Sequence, residues 1–234
     1  MLHLSKKYWK GIIPIYINNF NRLTSTKQLA SYFDHIDGTS VVIIDNASSY
    51  EPLLEWYSKC PYKVIKLKQN YGHLAPWSQG CYLDKIYNSD YYVVTDADLD
   101  LSHCPKDLMK VLIRGIKEYK VNKVGLSLEI SDLPDDFPLK NDVINWEKKY
   151  WQTMTPDKKF YKADVDTTFA LYDTTTPQKV ATQIDPSLRT ARPYTAKHIP
   201  WYLTPNTLSE EEKYIIKNSK DGETHWTKQL KKML

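Results

Sequence analysis

Two carboxylates set one residue apart, Asp96 and Asp98, close the stretch Tyr91-Tyr92-Val93-Val94-Thr95-Asp96-Ala97-Asp98. In extended backbone residues i and i+2 point the same way, so both acids face one place. Side by side they repel unless a proton or cation lies between them. Mg²⁺ typically takes one or two carboxylates plus phosphate oxygens, so the pair suits a divalent cation carrying a diphosphate. The β-prone residues before it read as a buried strand, and the carboxyl end of such a strand is where open α/β sheets take ligands. Three other readings compete. Asp96, Asp98 and Asp100 match positions one, three and five of a calcium loop, but Leu101 stands where that loop needs Gly. A phosphatase with an aspartyl nucleophile also runs a strand into such a pair, usually on its first strand rather than its fourth. A pair of caps for the following helix is the plain structural alternative.

Asp45 ends an earlier apolar run, Val41 to Ile44. In dinucleotide folds an acid there bonds a ribose hydroxyl; a turn or cap Asp is the equal alternative. Asn18 and Arg22, in the polar loop Asn18-Asn19-Phe20-Asn21-Arg22, are nucleotide-binding candidates. Arg22, Arg189, Arg192 and Lys197 are candidates for the diphosphate, because guanidinium forks match phosphate oxygens. His73 follows Gly72 and opens a predicted helix whose N-terminus favours anions. Trp77 and Trp201 offer stacking faces for a sugar, with core packing as the alternative. The loop after the first strand has neither G-x-G-x-x-G nor the Gly-rich sequence and Lys of a P-loop, so NAD and P-loop readings fail.

The elements that must position these residues alternate. Strands are predicted at Ile12–Ile17, Val41–Ile44, Tyr62–Leu67, Tyr91–Thr95 and Val124–Ile130. Helices are predicted from Thr24 or Thr26 (as cap) to Ile36, at Pro52–Lys59, Leu74–Tyr87 and Lys106–Tyr119. That alternation argues an α/β fold with a mainly parallel sheet and helices on both faces. Later, Val143–Gln152 reads as a helix, Asp164–Tyr172 as a strand preceded by acids, and Leu208–Asn218 as a helix. Asp173–Pro205 shows little periodicity, an irregular excursion of the kind that is often functional.

Composition narrows the classes. The 234 residues hold 18 Tyr and 7 Trp but only 7 Gly, and net charge is +4 with scattered basic residues. Scattered charge of that size does not argue for a nucleic-acid partner. Cys60, Cys81 and Cys104 lack C-x-x-C spacing, so neither a disulfide framework nor a zinc site is indicated. With no signal-peptide core and no apolar run of membrane-spanning length, the expectation is a cytoplasmic protein. The basic-apolar tail Lys228–Leu234 allows peripheral membrane contact at most.

The segments IPIYINNFNR, IIDNAS, NYGHLAPW and TDAD, with DTTFALY and RPYTAKHIPWYL further on, resemble GT-A fold nucleotide-sugar glycosyltransferases close to the family 2 type. The similarity covers most of the chain and implies one GT-A domain over residues 1–234, with a nucleotide-binding half (1–130) and an acceptor- and metal-completing half (131–234). It further implies a nucleotide-diphosphate sugar as co-substrate, UDP-linked by preference, and Mn²⁺ or Mg²⁺ as cofactor. A glycan or lipid-linked glycan would be the acceptor. Asp45 would contact the nucleoside, Asp98 would ligate the metal and Asp96 the ribose or metal, and His198, with His225 as rival, would be a third ligand. Inverting transfer needs a base for the acceptor hydroxyl: Asp166 is the first candidate, with Asp164 beside it and Asp132 in reserve. No Glu-Asp pair precedes a helix, a departure from the common family pattern, and a retaining enzyme needs no base. A sugar-phosphate nucleotidyltransferase would share the sheet but ordinarily carries a Gly-rich loop after its first strand. A carbohydrate-binding module with a structural cation is the non-enzymatic alternative.

Overall fold

The computed structural model describes residues 9–81, 88–174, 186–219 and 231–233. Its centre is an eight-stranded sheet built from β1 (Ile13–Asn19), β2 (Thr39–Asp45), β3 (Lys63–Lys66), β4 (Tyr91–Asp96), β6 (Lys123–Gly125), β8 (Phe160–Lys162), β9 (Phe169–Asp173) and β10 (Ser187–Thr190). The spatial order is β3-β2-β1-β4-β9-β6-β10-β8. β3, β2, β1 and β4 run parallel, β9 is inserted antiparallel between β4 and β6, β10 is parallel to β6, and β8 closes the edge antiparallel. A smaller sheet joins β5 (Leu99–Asp100), β11 (Thr195–His198) and β7 (Ser127–Leu128) in the order β5-β11-β7.

Strands covered on both faces should be apolar throughout, and they are: every residue of β1 is buried. Ile13, Ile15 and Ile17 point to one face with Ile43 and Val93, against α1 (Thr24–Asp34) and α4 (Leu108–Tyr119). Tyr16, Val42, Ile44, Tyr92 and Val94 form the other face with Tyr172. The expected α/β class with a mainly parallel, helix-flanked sheet is the observed one.

Several predicted boundaries move. The strand expected over Val124–Ile130 breaks at Leu126 into β6 and β7, which belong to different sheets. Gly125 ends β6 beside the break. A Cβ there would lie 2.3 Å from a Val165 methyl and 2.6 Å from the Phe169 carbonyl, so only Gly lets β9 approach so closely. The excursion from Asp173 contains β10 and β11, too short and polar to show a period. The predicted helix from Leu74 to Tyr87 is a 3-10 turn (Gly72–Leu74) and the short α3 (Ala75–Ser78), with residues 82–87 outside the described set. Neither Thr24 nor Thr26 caps α1. Glu211 does so from α6 (Glu210–Asn218), accepting from the Leu23 and Thr24 amides at 2.8 and 3.1 Å. A carboxylate there satisfies orphan N–H groups and the helix dipole together.

One buried ion pair braces the second half. Arg189 on β10 meets Glu147, the last residue of α5 (Lys140–Glu147), at 3.0 Å, and both side chains are 3% exposed. The Arg189 guanidinium also lies over the Tyr150 ring, 3.9 Å from its centroid. Removing one partner of a buried pair strands the other charge, at a typical cost of about 3–5 kcal/mol, whereas replacing both by apolar groups is often near neutral. Arg189→Met should therefore lower unfolding free energy by about that amount in urea titrations, and Arg189→Met with Glu147→Leu should recover most of it. A double variant no more stable than the single would show that the brace is not electrostatic.

Candidate functional site

The parallel registry decides which residues meet. Asn18 of β1 is level with Asp96 of β4, and Asn19 is level with Asp45 of β2. All four therefore end at one edge of the sheet, the carboxyl edge. There a cleft of about 190 Å³ is lined by Asn18, Arg22, His73, Asp96 and Asp98, with Ile215 of α6 and Ser219 just beyond that helix. Glu211 holds α6 in that place through the α1 amides, and the Tyr214 hydroxyl meets Ser49 Oγ at 3.0 Å.

Asp98 is the electrostatic centre of the cleft. Its Oδ2 lies 3.2 Å from Arg22 Nη2 and 3.5 Å from His198 Nε2, and its side chain is 16% exposed. Its Oδ1 is buried with no hydrogen-bond partner, and so is His198 Nδ1. Burial alone would raise the Asp98 pKa, but Arg22 and His198 outweigh it and hold the carboxyl well below its ordinary value. Asp96 goes the other way: burial, then the charges of Asp98 and Asp166, raise it well above its ordinary value, with Arg22 opposing. Two neighbouring carboxyls with opposed shifts are the expected outcome when one has the counter-charge and the other does not.

The loop that carries Asp166 is stapled by its carbonyls. Ser187 Oγ donates to Ala163 O at 3.1 Å, Arg189 Nε to Asp164 O at 2.7 Å, and the buried Lys123 amine to Val165 O. The Asp96 amide donates to Thr168 O at 2.9 Å. Asp166 itself is exposed and accepts from the Thr168 amide at 2.9 Å. It precedes β9 rather than beginning it, its charge contributes to the raising of both Asp96 and Glu147, and it is not among the residues that line the cleft of the acid pair.

Other expected site residues are placed differently. Asp45 is 2% exposed. Its carboxylate accepts from Tyr57 Oη and the Ser48 amide, each at 3.2 Å, so it serves the turn and not the cleft wall. The side chain beside it, Asn46, was the missed one: it donates to Asn18 Oδ1 at 2.7 Å and to Gly72 O at 3.1 Å, and accepts from the Tyr71 amide at 3.1 Å. Asn18 also donates to Gly72 O, so its amide is a strut for the turn that carries His73. Asp132 is ion-paired with Lys197 and accepts from Tyr202 Oη at 2.6 Å, and despite partial burial these partners lower its pKa. A carboxylate so held is a poor proton acceptor, and Lys197 is committed with it. Asp164 is exposed and contributes its carbonyl to Arg189.

Arg192 is not at the cleft. It pairs with Glu129, holding that carboxyl at about 2 against its burial, and stacks over Trp151 at 4.6 Å. Arg189 is spent on Glu147. Trp201 is 5% exposed and packs edge-on against His198, 4.7 Å between centroids, so it braces that ring and presents no sugar-stacking face. Trp77 packs edge-on against Tyr172. His225 lies outside the described residues. Among the described residues no group of three or more His, Cys, Asp and Glu side chains is placed to hold a metal ion. None of their helices is long and apolar enough to cross a membrane.

No family model matches the chain, and no curated protein matches it. Two solved structures share its general outline. One is GalNAc-T7 with UDP, GalNAc and Mn²⁺, at 14% identity and a TM-score of 0.40 over 70% of this chain and 35% of that one. The other is a 4-diphosphocytidyl-2C-methyl-D-erythritol synthase from Anaerococcus prevotii, at 8% identity and a TM-score of 0.39 over 70% and 71%. The chain thus spans about a third of the first, and superpositions this loose say nothing about activity.

The opposed shifts have a measurable consequence. A raised folded-state pKa means that Asp96 costs nothing below its ordinary value of 3.8 and weakens the fold as pH rises through the folded value. Asp96→Asn should raise the unfolding midpoint at pH 7 in chelator, and the gain should vanish toward pH 4. Asp98→Asn, which leaves Arg22 without its partner, should lower it. A lower midpoint for Asp96→Asn at pH 7 would contradict the assignment.

Proposed function

We propose that the chain is a glycosyltransferase that moves a sugar from a nucleotide-diphosphate donor, UDP-linked by preference, to a hydroxyl of a glycan or lipid-linked glycan, with inversion. The observation that carries this reading is the Asp96/Asp98 pair, shared with Arg22 and His198, at the carboxyl edge of parallel β1 and β4. Ligands of open α/β sheets bind at such an edge. A diphosphate brings negative charge, Arg22 supplies a fork that fits it, and the acid pair suits a divalent cation between protein and phosphate.

In this reading Asp98, with Asp96 and His198 near it, would hold Mn²⁺ or Mg²⁺ together with phosphate oxygens, which would complete a donor set that the described side chains alone do not form. Asp98 Oδ1 is an unsatisfied hard oxygen, Asp96 stands beside it, and His198 is within reach of the same carboxylate. When bound, the cation supplies Lewis-acid stabilisation of the leaving diphosphate. In transfer the acceptor oxygen attacks the anomeric carbon, the bond from that carbon to the β-phosphate oxygen breaks, and the hydroxyl proton passes to a carboxylate. Asp166 is that carboxylate in this reading, because it is exposed, its charge is felt at Asp96, and its loop is pinned by bonds to four carbonyls. Glu147 is buried and paired and does not compete for the role.

Arg22 pairs with Oδ2 of the carboxylate whose Oδ1 would face the cation, and its positive charge opposes the cation's approach, so in this reading it turns from Asp98 to the diphosphate as donor and cation arrive. Two expectations follow. A panel of UDP, GDP and dTDP with Mn²⁺ should raise the unfolding temperature for one nucleotide, and Asp98→Ala should abolish the shift. No shift with any of them would remove the transferase reading and favour a binding module. Arg22→Gln should bind Mn²⁺ alone more tightly than wild type, roughly three- to tenfold as for the loss of one competing ion pair, while binding UDP more weakly. Titration calorimetry reads both, and weaker Mn²⁺ binding by the variant would exclude the competition.

A further inference from the structure

The two oxygens of Asp98 are not equivalent. Arg22 Nη2 at 3.2 Å and His198 Nε2 at 3.5 Å both face Oδ2, while Oδ1 is buried with no hydrogen-bond partner among the described residues. His198 thus stands with the guanidinium on one side of the carboxylate, and the oxygen left for a cation is the other one. Backbone pairing fixes that arrangement. β11 lies against β5 with His198 level with Leu99, and the Ile199 amide donates to Asp98 O at 2.9 Å. The ring is then held edge-on by Trp201 of the 3-10 turn Ile199–Tyr202, 4.7 Å between centroids.

The other ring nitrogen limits what His198 can do. A histidine that ligates a metal through one nitrogen ordinarily donates the N–H of the other to a carboxylate, a carbonyl or water. His198 Nδ1 is buried with no such partner among the described residues. Trp201 Nε1 is buried without a partner too and can only donate, so the ring in contact supplies no lone pair. Glu147 lies within electrostatic range of His198, but its carboxylate is bonded to Arg189 at 3.0 Å. A hydrogen on Nδ1 would be buried and unmet, which is unfavourable. The hydrogen of the neutral ring therefore belongs on Nε2, facing Asp98 Oδ2, and a ring nitrogen that carries a hydrogen has no lone pair for a cation.

The geometry points to His198 as a positioning residue and not a third metal ligand: it keeps Asp98 Oδ2 engaged when Arg22 turns to the diphosphate, so that Oδ1 stays presented to the cation. This rests on the metal-assisted reading above and narrows its donor set to carboxylate and phosphate oxygens. Pulsed electron paramagnetic resonance of Mn²⁺ bound with UDP should show no directly bound imidazole nitrogen in wild type. Such a coupling, present in wild type and lost in His198→Gln, would overturn the proposal. The Gln side chain can set an N–H where Nε2 stands. His198→Gln should therefore bind Mn²⁺ within about threefold of wild type, and His198→Ala about tenfold more weakly, the scale for a lost outer-shell partner. An equal effect of the two substitutions would overturn the proposal as well. Long-range ¹H–¹⁵N spectra in chelator at about pH 8.5, above the ordinary histidine range, should place the hydrogen on Nε2. A hydrogen on Nδ1 would overturn the proposal without reference to any metal. Wild type that binds no Mn²⁺, with or without UDP, would remove the transferase reading itself, and the proposal with it.

Discussion

The placement of Arg22 against Asp98 is the interaction on which the candidate site rests, and parallel pairing makes it possible. β1 lies between β2 and β4 with Asn18 level with Asp96, so the loop that leaves β1 must pass over the end of β4. Arg22 is four residues beyond Asn18, and Asp98 is two beyond Asp96. Charge then does the rest: without the guanidinium, two adjacent part-buried carboxyls would repel with less to offset it. Arg22, with His198, lowers Asp98, while burial and the neighbouring charges raise Asp96.

The second half of the chain holds the cleft from behind. Residues 163–168 make no regular structure, and their geometry comes from partners elsewhere: Ser187, Arg189, Lys123 and the Asp96 amide. Arg189 in turn depends on Glu147. A buried charge that is fully bonded gives a loop one geometry, where apolar packing would leave several. The antiparallel β9 matters for the same reason, since Thr95 opposite Phe169 sets the loop level with the acids.

What the sequence disclosed follows from the range of the forces. Runs such as Ile13–Ile17 and Tyr91–Thr95 are apolar because they are covered on both faces, so the strands and the α/β class were readable locally. The i, i+2 spacing of Asp96 and Asp98 was readable for the same reason. The partners of Asp98 were not, because Arg22 and His198 lie far along the chain in opposite directions. Asp45 misled because a ribose-binding acid and a turn acid look alike in sequence, and Tyr57 and Ser48 decided between them. Arg192 misled because a free guanidinium and one bonded to Glu129 carry the same letter. β10 and β11 are buried by pairing and not by composition, so Ser187–Thr190 and Thr195–His198 show no pattern.

The Glu211 cap ties the beginning of the described chain to its end. A helix whose first amides are met by a carboxylate 187 or more residues later cannot be finished locally. During synthesis α1 and the parallel strands emerge early, yet the amides of Leu23 and Thr24 wait for Glu211, and the cleft waits for Ile215. The acid-bearing edge and its cover are therefore completed only when α6 arrives, after β9 and β10 have finished the sheet.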